Sequence, residues 1–530
     1  MLQAFVLSAV LLAALKPVAS AAAVFPPPAK HVTLNVGNAQ LAPDGFSRST
    51  VVVNGQYPGP PILVNKGDSL SVTVNNRLTD PTMRRSTSLD LDGLFSPTSE
   101  LPDEGSPFVT QCPIGPGASY TYDHGAIDQA GTFWYHSQLS IQYIDGFRGP
   151  LIVYDPNDPL KSLYDVDDVN TIIQLGDWWH NTTLSPTMLP QYEATGIIPV
   201  SDSSTINGAA RYNGGPAVPW SVVNVVKGKR YRLRLINESA RNVVTFNVEG
   251  HSLNIIEADG EALVPHVVNA LDMLAGQRYS VVLTANQPIA NYWIQTPFVG
   301  GAPARNLNQN ITLSRAILRY AGAPIADPTT PMDVGPFPES LVEAELRPLV
   351  PQAAPPADVN VTLDLEVIAG QAIWTVNGVS FLPPKTPTLM KVLEGASTAA
   401  DFNATENTFV FPAHKTIQFT FPENDDDDAH PLHMHGQNFW LIKPNSTDVI
   451  NTVDPIKRDT AAAGANGMIL RFRTDKPGPF HFHCHIFWHY QAGLATVLLN
   501  DPAGTRAQVH PDAAWEGLCP AYNALPADEQ

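Results

Sequence analysis

Two short segments recur three times in the same order along this 530-residue chain, and the recurrence limits it to a row of related β domains. The first segment is a turn followed by alternation: Val64-Asn65-Lys66-Gly67 before Leu70, Val72 and Val74; Val226-Lys227-Gly228 before Tyr231, Leu233 and Leu235; Phe411-Pro412-Ala413-His414 before Ile417, Phe419 and Phe421. Apolar residues at every second position describe a half-buried strand, because successive side chains of an extended chain point to opposite faces. The second segment follows later in each unit, as Phe133-Trp134-Tyr135-His136, Tyr292-Trp293-Ile294-Gln295 and Phe480-His481-Phe482-His483. A chain of this length exceeds what one hydrophobic core organises, so three β-sandwiches with little helix are expected. The 49 prolines and a charged fraction of only 15% suit many short strands joined by turns. The proline-rich stretches 324–338 and 348–356 mark the link before the third unit, and Asp155-Pro156-Asn157-Asp158-Pro159 marks a softer boundary after the first. The expected division is 24–157, 158–325 and 326–530.

Residues 1–23 hold an apolar run over 5–15, a breaker at Pro17 and small residues at Val18-Ala19-Ser20 and Ala21-Ala22-Ala23. This reads as a signal peptide, although no basic side chain precedes the run; the competing reading is a buried first strand. Sequons at Asn181, Asn237, Asn310, Asn360, Asn403 and Asn445 are compatible with a glycosylated, secreted, extracellular protein. No other apolar stretch is long enough to span a bilayer. The formal charge of -19 argues against nucleic acid or anionic membranes as partners. Three cysteines in an oxidising compartment leave one thiol with another task, so Cys112 and Cys519 are assigned to a disulfide and Cys484 to a metal.

The metal reading rests on spacing. Leu432-His433-Met434-His435-Gly436 puts two histidines on one face of an extended segment, and His483-Cys484-His485 does the same while sending Cys484 to the opposite face. The paired imidazoles can therefore meet at one cluster while the thiolate joins His430 and His489 at another. A soft thiolate with two imidazoles is a blue copper arrangement; zinc is the rival, since it accepts the same ligands in a tetrahedral site.

His430-Pro431-Leu432-His433-Met434-His435-Gly436 and His483-Cys484-His485-Ile486-Phe487-Trp488-His489 resemble two copper signatures of fungal laccases, in the multicopper oxidase family. The similarity runs from about Thr33 to the C-terminus and includes Val53-Asn54-Gly55-Gln56-Tyr57-Pro58-Gly59-Pro60, Ile206-Asn207-Gly208 and Gly478-Pro479-Phe480. The resemblance implies three cupredoxin-like Greek-key domains and type 1 copper on His430, Cys484 and His489. It also places Leu494 at the axial position, where it cannot coordinate, and supports the Cys112 to Cys519 pairing. Ile144 and Ser201 stand where many fungal laccases have a second disulfide, so that pair is absent. Asp202 stands where laccases place an acid that takes a proton from a phenol; the plainer reading is a loop aspartate capping the Ser203 or Ser204 amide. His430, if its ring edge reaches solvent, is the expected point of electron entry.

The chain departs from the family where a trinuclear cluster needs eight histidines in four His-X-His units. Its first unit reads Leu89-Asp90-Leu91-Asp92-Gly93 and its second His136-Ser137-Gln138. The internal repeat makes the same point, with Asp90, Asp92 and Gln138 standing where His433, His435 and His485 stand in the third unit. Carried over by position, the type 2 copper would have Asp90 and His433, one type 3 copper Asp92, His136 and His485, and the other Gln138, His435 and His483. Oxygen donors hold cuprous copper less well than imidazole does. Phe487 replaces an aspartate implicated in proton delivery, while Glu104 keeps another acid of that region. The leading expectation is a laccase-like protein with one type 1 copper, small phenolic or other one-electron donors, and little or no reduction of dioxygen. The alternatives are a working laccase with unusual cluster ligands, another divalent metal in the cluster cavity, and an accessory subunit of an active laccase. The run Asp425-Asp426-Asp427-Asp428 reads as a solvated loop or, more sharply, as an acidic rim attracting cationic donors.

Overall fold

Two of the alternating segments fold as strands that bury one face, while the middle one, Arg230–Asn237, is buried on both, with Arg232 and Arg234 inside. Leu70, Val72 and Val74 of Ser69–Arg77, Tyr231, Leu233 and Leu235 of Arg230–Asn237, and Ile417, Phe419 and Phe421 of Thr416–Phe421 all point into cores. The computed structural model describes residues 29–424 and 429–530. The expected leader and the four aspartates at 425–428 lie outside the described residues.

Each of the three units pairs two sheets, and the chain is all-β apart from short helices. In the first, one sheet runs Arg48–Val53, Ala29–Leu41, Ser69–Arg77, Ser119–Ala126, and the other Ile62–Asn65, Arg148–Tyr154, Gly131–His136, Asp90–Asp92. The third repeats the second of these sheets as Thr408–Phe411, Ala495–Asn500, Gly478–Cys484, His430–Met434, Thr460–Ala463. Register makes the correspondence residue by residue: Asp90 lies opposite His136 as His433 lies opposite His483. The middle unit carries larger sheets between Ile172 and Tyr320 and no histidine at the corresponding place, Tyr292-Trp293-Ile294-Gln295. The proline-rich link does not hang free, since Ser340 and Pro348 form bridges to Ala270 and Leu263 of the middle unit.

The first and third units are drawn together by the C-terminal tail. Asp512 caps the helix Ala513–Asn523 by accepting from the Trp515 amide. Trp515, Leu518 and Tyr522 then enter the core of the first unit, and the Trp515 indole donates to the Thr110 carbonyl at 2.9 Å. A disulfide joins Cys112 to Cys519 across 407 residues of sequence, and Arg85 pairs with Asp528 and Glu529 beyond the helix. This strap holds the sheet edge carrying Asp90 and Asp92 against the sheet carrying His433 and His483.

One sequon is excluded by the fold. Asn237 is fully buried, and its amide donates to the Asn242 and Met273 carbonyls at 3.0 and 2.8 Å, so the expected glycan at this position has neither a free nitrogen nor room. Asn181, Asn360 and Asn403 are exposed, and Asn310 and Asn445 partly so. No helix among the described residues is long and apolar enough to cross a membrane.

Candidate metal centres

The end of strand Gly478–Cys484 turns directly into the short helix Phe487–Gln491, and this places Cys484 and His489 on one side of the sheet. His430 comes from the neighbouring strand. The Cys484 sulfur lies 3.9 Å from His430 Nδ1 and 3.8 Å from His489 Nδ1. All three are buried, and burial pushes the His489 imidazole well below its ordinary range, favouring the neutral form that a metal requires. One soft thiolate and two imidazoles at this spacing fit copper. Leu494 is buried next to them, its carbonyl accepting from the Cys484 amide at 3.1 Å. Trp374 packs on both imidazoles, with ring centroids 4.7 Å from His430 and 4.4 Å from His489.

Two expectations about the donor side require correction. The His430 ring is fully buried, so it has no edge at the surface, whereas His489 keeps 4% of its area exposed. Asp202 neither stands open to a phenol nor caps Ser203 or Ser204. One of its oxygens accepts from the His180 amide at 2.7 Å, the other from the side-chain amides of Asn306 and Asn308 at 2.9 Å each, and the residue is 6% exposed. Its carboxylate is consumed in tying two loops together.

On the opposite face of the same sheet a second group assembles where the first and third units meet. His433, His435, His483, His485 and His136 are all buried, with ring centroids of neighbouring pairs 4.9 to 5.9 Å apart. Asp92, His136 and His485 bring their ligand atoms together, as do His435, His481 and His483, and as do Asp92, His433 and Asp459. The Asp90 oxygens lie 3.5 Å from His136 Nε2 and 3.9 Å from His435 Nδ1. The carboxylates beside His433 are Asp459 at 3.5 Å and Asp92 at 3.9 Å.

Asp92 is engaged on both oxygens. His485 Nε2 lies 3.0 Å from one, and Arg278 of the middle unit donates to the other at 3.1 Å while holding Asp459 in a two-pronged pair at 2.7 and 2.6 Å. Burial alone would raise the pKa of Asp92, but His433, His136, His485 and Arg278 outweigh it and hold the carboxyl well below the usual range. Asp90 goes the other way. Burial, then the charges of Glu104 and Asp92, push it well above that range. Gly276, at φ +84°, backs the His485 ring so closely that a Cβ there would come within 2.4 Å of it. Phe487 packs its ring on His136, His483 and His485 at 5.7, 5.7 and 5.1 Å.

Several polar atoms in this cavity are buried without a hydrogen-bond partner: Asp90 Oδ2, His136 Nε2, Gln138 Oε1, His485 Nδ1 and both nitrogens of His481. Buried polar atoms are normally satisfied, so such a concentration marks a place built to hold an ion or water. The donor set, mixed imidazole and carboxylate, fits three cuprous-cycling coppers less well than eight imidazoles would. Sequence reasoning did not single out His481, Arg278 or Asp459. His481 was findable, since it stands two residues before His483 and therefore shares its face of the strand.

A chain of three β-sandwich units with a thiolate and two imidazoles in the third, and an imidazole cavity between the third and the first, has the architecture of a multi-domain cupredoxin. Family models described as multicopper oxidase match residues 35–158, 169–323 and 381–504, and the chain belongs to the multicopper oxidase family. It is 43% identical over 511 residues to Laccase-2 of Agaricus bisporus, covering 94% of this chain and 96% of that one. It is 50% identical over 425 residues to a laccase-like protein, claX, of Ampulloclitocybe clavipes, covering 72% of this chain and 96% of that one. The crystal structure of a laccase from Botrytis aclada superposes with a TM-score of 0.83 at 30% identity, covering 94% and 93% of the two chains.

Proposed function

We propose that this chain is a secreted pseudolaccase: a laccase-like blue copper protein that exchanges single electrons with small phenolic donors and carries out little or no four-electron reduction of dioxygen. The observation that supports this most directly is Asp92. At the position where the repeat has His435 in the third unit, it offers a carboxylate already paired with Arg278 and with His485 Nε2. The substitution thus removes one imidazole and ties down a second, and the charge of the carboxylate is balanced without a metal.

The donor end is favourable. Copper held by His430, Cys484 and His489 supplies a one-electron couple. The protein contributes a dry pocket, with Trp374 sealing the imidazoles and only the His489 edge reaching outward. His483 and His485 flank Cys484 in the chain, so the connection from the sulfur to the cavity is covalent. At the far end Phe487 presents an apolar ring against three imidazoles and has no proton to deliver.

Dioxygen uptake with a phenolic donor tests this reading. The purified protein should bleach its blue absorption on adding the phenol and show uptake no faster than the uncatalysed mixture. Sustained uptake, with about four coppers per chain, would overturn it.

A further inference from the structure

His481 belongs to no ligand set carried over from the family pattern, yet it is the residue whose surroundings most require an explanation. It is fully buried, and both ring nitrogens lack a partner among the described residues. Leaving one polar group buried and unpaired is costly, and leaving two on one ring is more so. Its position is not accidental to the strand. Gly478–Cys484 runs antiparallel to Ala495–Asn500 on one side and His430–Met434 on the other, and its alternation aims His481 and His483 at the same side. The His435 amide donates to the His481 carbonyl at 3.0 Å, which brings the third imidazole alongside. The ring centroids of His481 stand 5.1 Å from His483 and 5.8 Å from His435.

Hydrogen bonding fixes which ring nitrogens carry the hydrogen. His435 Nδ1 lies 2.7 Å from Glu104 Oε1, and the Ser106 amide and hydroxyl and the Thr110 hydroxyl all donate to the same carboxyl group, so it acts as an acceptor and that nitrogen carries the hydrogen. Glu104 is itself held by the Ser106 amide at 3.0 Å and the Thr110 hydroxyl at 2.9 Å. His483 Nδ1 lies 3.0 Å from the Cys484 carbonyl, again an acceptor only, and carries the hydrogen there. Both Nε2 atoms are therefore lone-pair donors, and they face each other at 3.0 Å. Two lone pairs at that separation repel unless a cation lies between them. A carboxylate behind a ligating histidine is also the arrangement that orients imidazoles toward metals and strengthens them as donors.

We propose that His435, His481 and His483 form a three-imidazole site for one copper or zinc ion, in which His481 returns the imidazole that Gln138 withholds. Gln138 borders the same space: its Nε2 donates to His483 Nε2 at 2.9 Å and its Oε1 is unpartnered, so turning the amide over releases the His483 lone pair and presents Oε1 as a weak fourth donor or as a bond to a ligated water. Three neutral imidazoles suit copper and zinc, while the harder oxygen-seeking ions are poorly served. The inference does not rest on the reading of dioxygen chemistry above, since the site is defined by donors and not by turnover.

Anomalous diffraction from the holoprotein, on both sides of the copper and zinc edges, tests it together with metal analysis of His481→Phe. The expected result is a peak in the wild-type protein about 2.0–2.1 Å from a His481 nitrogen. His481→Phe should then carry one metal equivalent fewer while keeping its blue absorption, which reports that the variant is folded and that the type 1 site is intact. A wild-type map with no metal within bonding distance of His481 would overturn the proposal even if the variant failed to fold. So would a folded His481→Phe that retains the full metal complement. Neither result bears on the rate of dioxygen uptake, which tests the other reading separately.

Discussion

Leu494 illustrates how much a single side chain decides at the blue copper site. It is buried beside Cys484, its carbonyl accepts from the Cys484 amide, and its side chain is only hydrocarbon, so it would offer no further donor to a copper held by His430, Cys484 and His489. An absent axial donor leaves the cupric state less stabilised than a thioether would. Leu494→Met, nearly equal in volume and tolerated by most cores, should therefore lower the type 1 potential, as read by spectroelectrochemical titration, at a stability cost below about 1.5 kcal/mol. A potential unchanged by the substitution would mean that the side chain at 494 does not face the metal. The ligands were legible from sequence because the histidines come in pairs two apart and the cysteine count leaves one thiol over, whereas Leu494 was placed only by the resemblance to laccases. What was not legible was exposure. Nothing in His430-Pro431-Leu432 says that Trp374, some 56 positions earlier in the chain, covers its ring.

Strands and the terminal helix set which residues meet. The recurrence of two segments was sufficient to anticipate three sandwiches, because period-two burial is a local property of each strand. The register Asp90 to His136 and His433 to His483 then follows from the shared sheet order. The partners of Asp90, by contrast, depend on how two units dock, which no local pattern encodes. That docking is maintained by the helix Ala513–Asn523 and its disulfide to Cys112. Cys519→Ser should lower stability by about 2–5 kcal/mol, since the bond closes a very long loop in the unfolded chain. The readout is the thermal midpoint, and the metal content of the cavity between the units should fall with it while the blue absorption, confined to the third unit, is retained. Equal loss of both would show that the strap supports the third unit as a whole.

Across the whole molecule, buried acids pull the dependence of stability on pH in two directions. Glu104 and Asp459 are pushed up by burial but held at about 2, the first by His435 and the second by Arg278 and His433. Their contribution is complete above the ordinary values of 4.5 and 3.8 and is lost as pH falls toward 2. Burial raises Asp103 to about 6 and Glu238 to about 7, so their contribution is complete below the ordinary range and is lost as pH rises through 6 and 7. Glu238→Gln removes one of these contributions, so it should flatten the decline of the thermal midpoint between about pH 4.5 and 7 relative to the parent protein; an unchanged slope would contradict the placement of this acid. The same three-unit assembly joins the Cys484 thiolate site to an altered cavity, and under the proposed function electrons arrive at the first and are not passed on to dioxygen. The direct measurement is reoxidation: bleach the blue absorption with one equivalent of a phenolic donor under argon, remove the products, admit dioxygen and follow the colour. The protein should stay bleached far longer than a single oxidase turnover would require. Prompt return of the blue absorption, repeated with each further equivalent of donor, would contradict it.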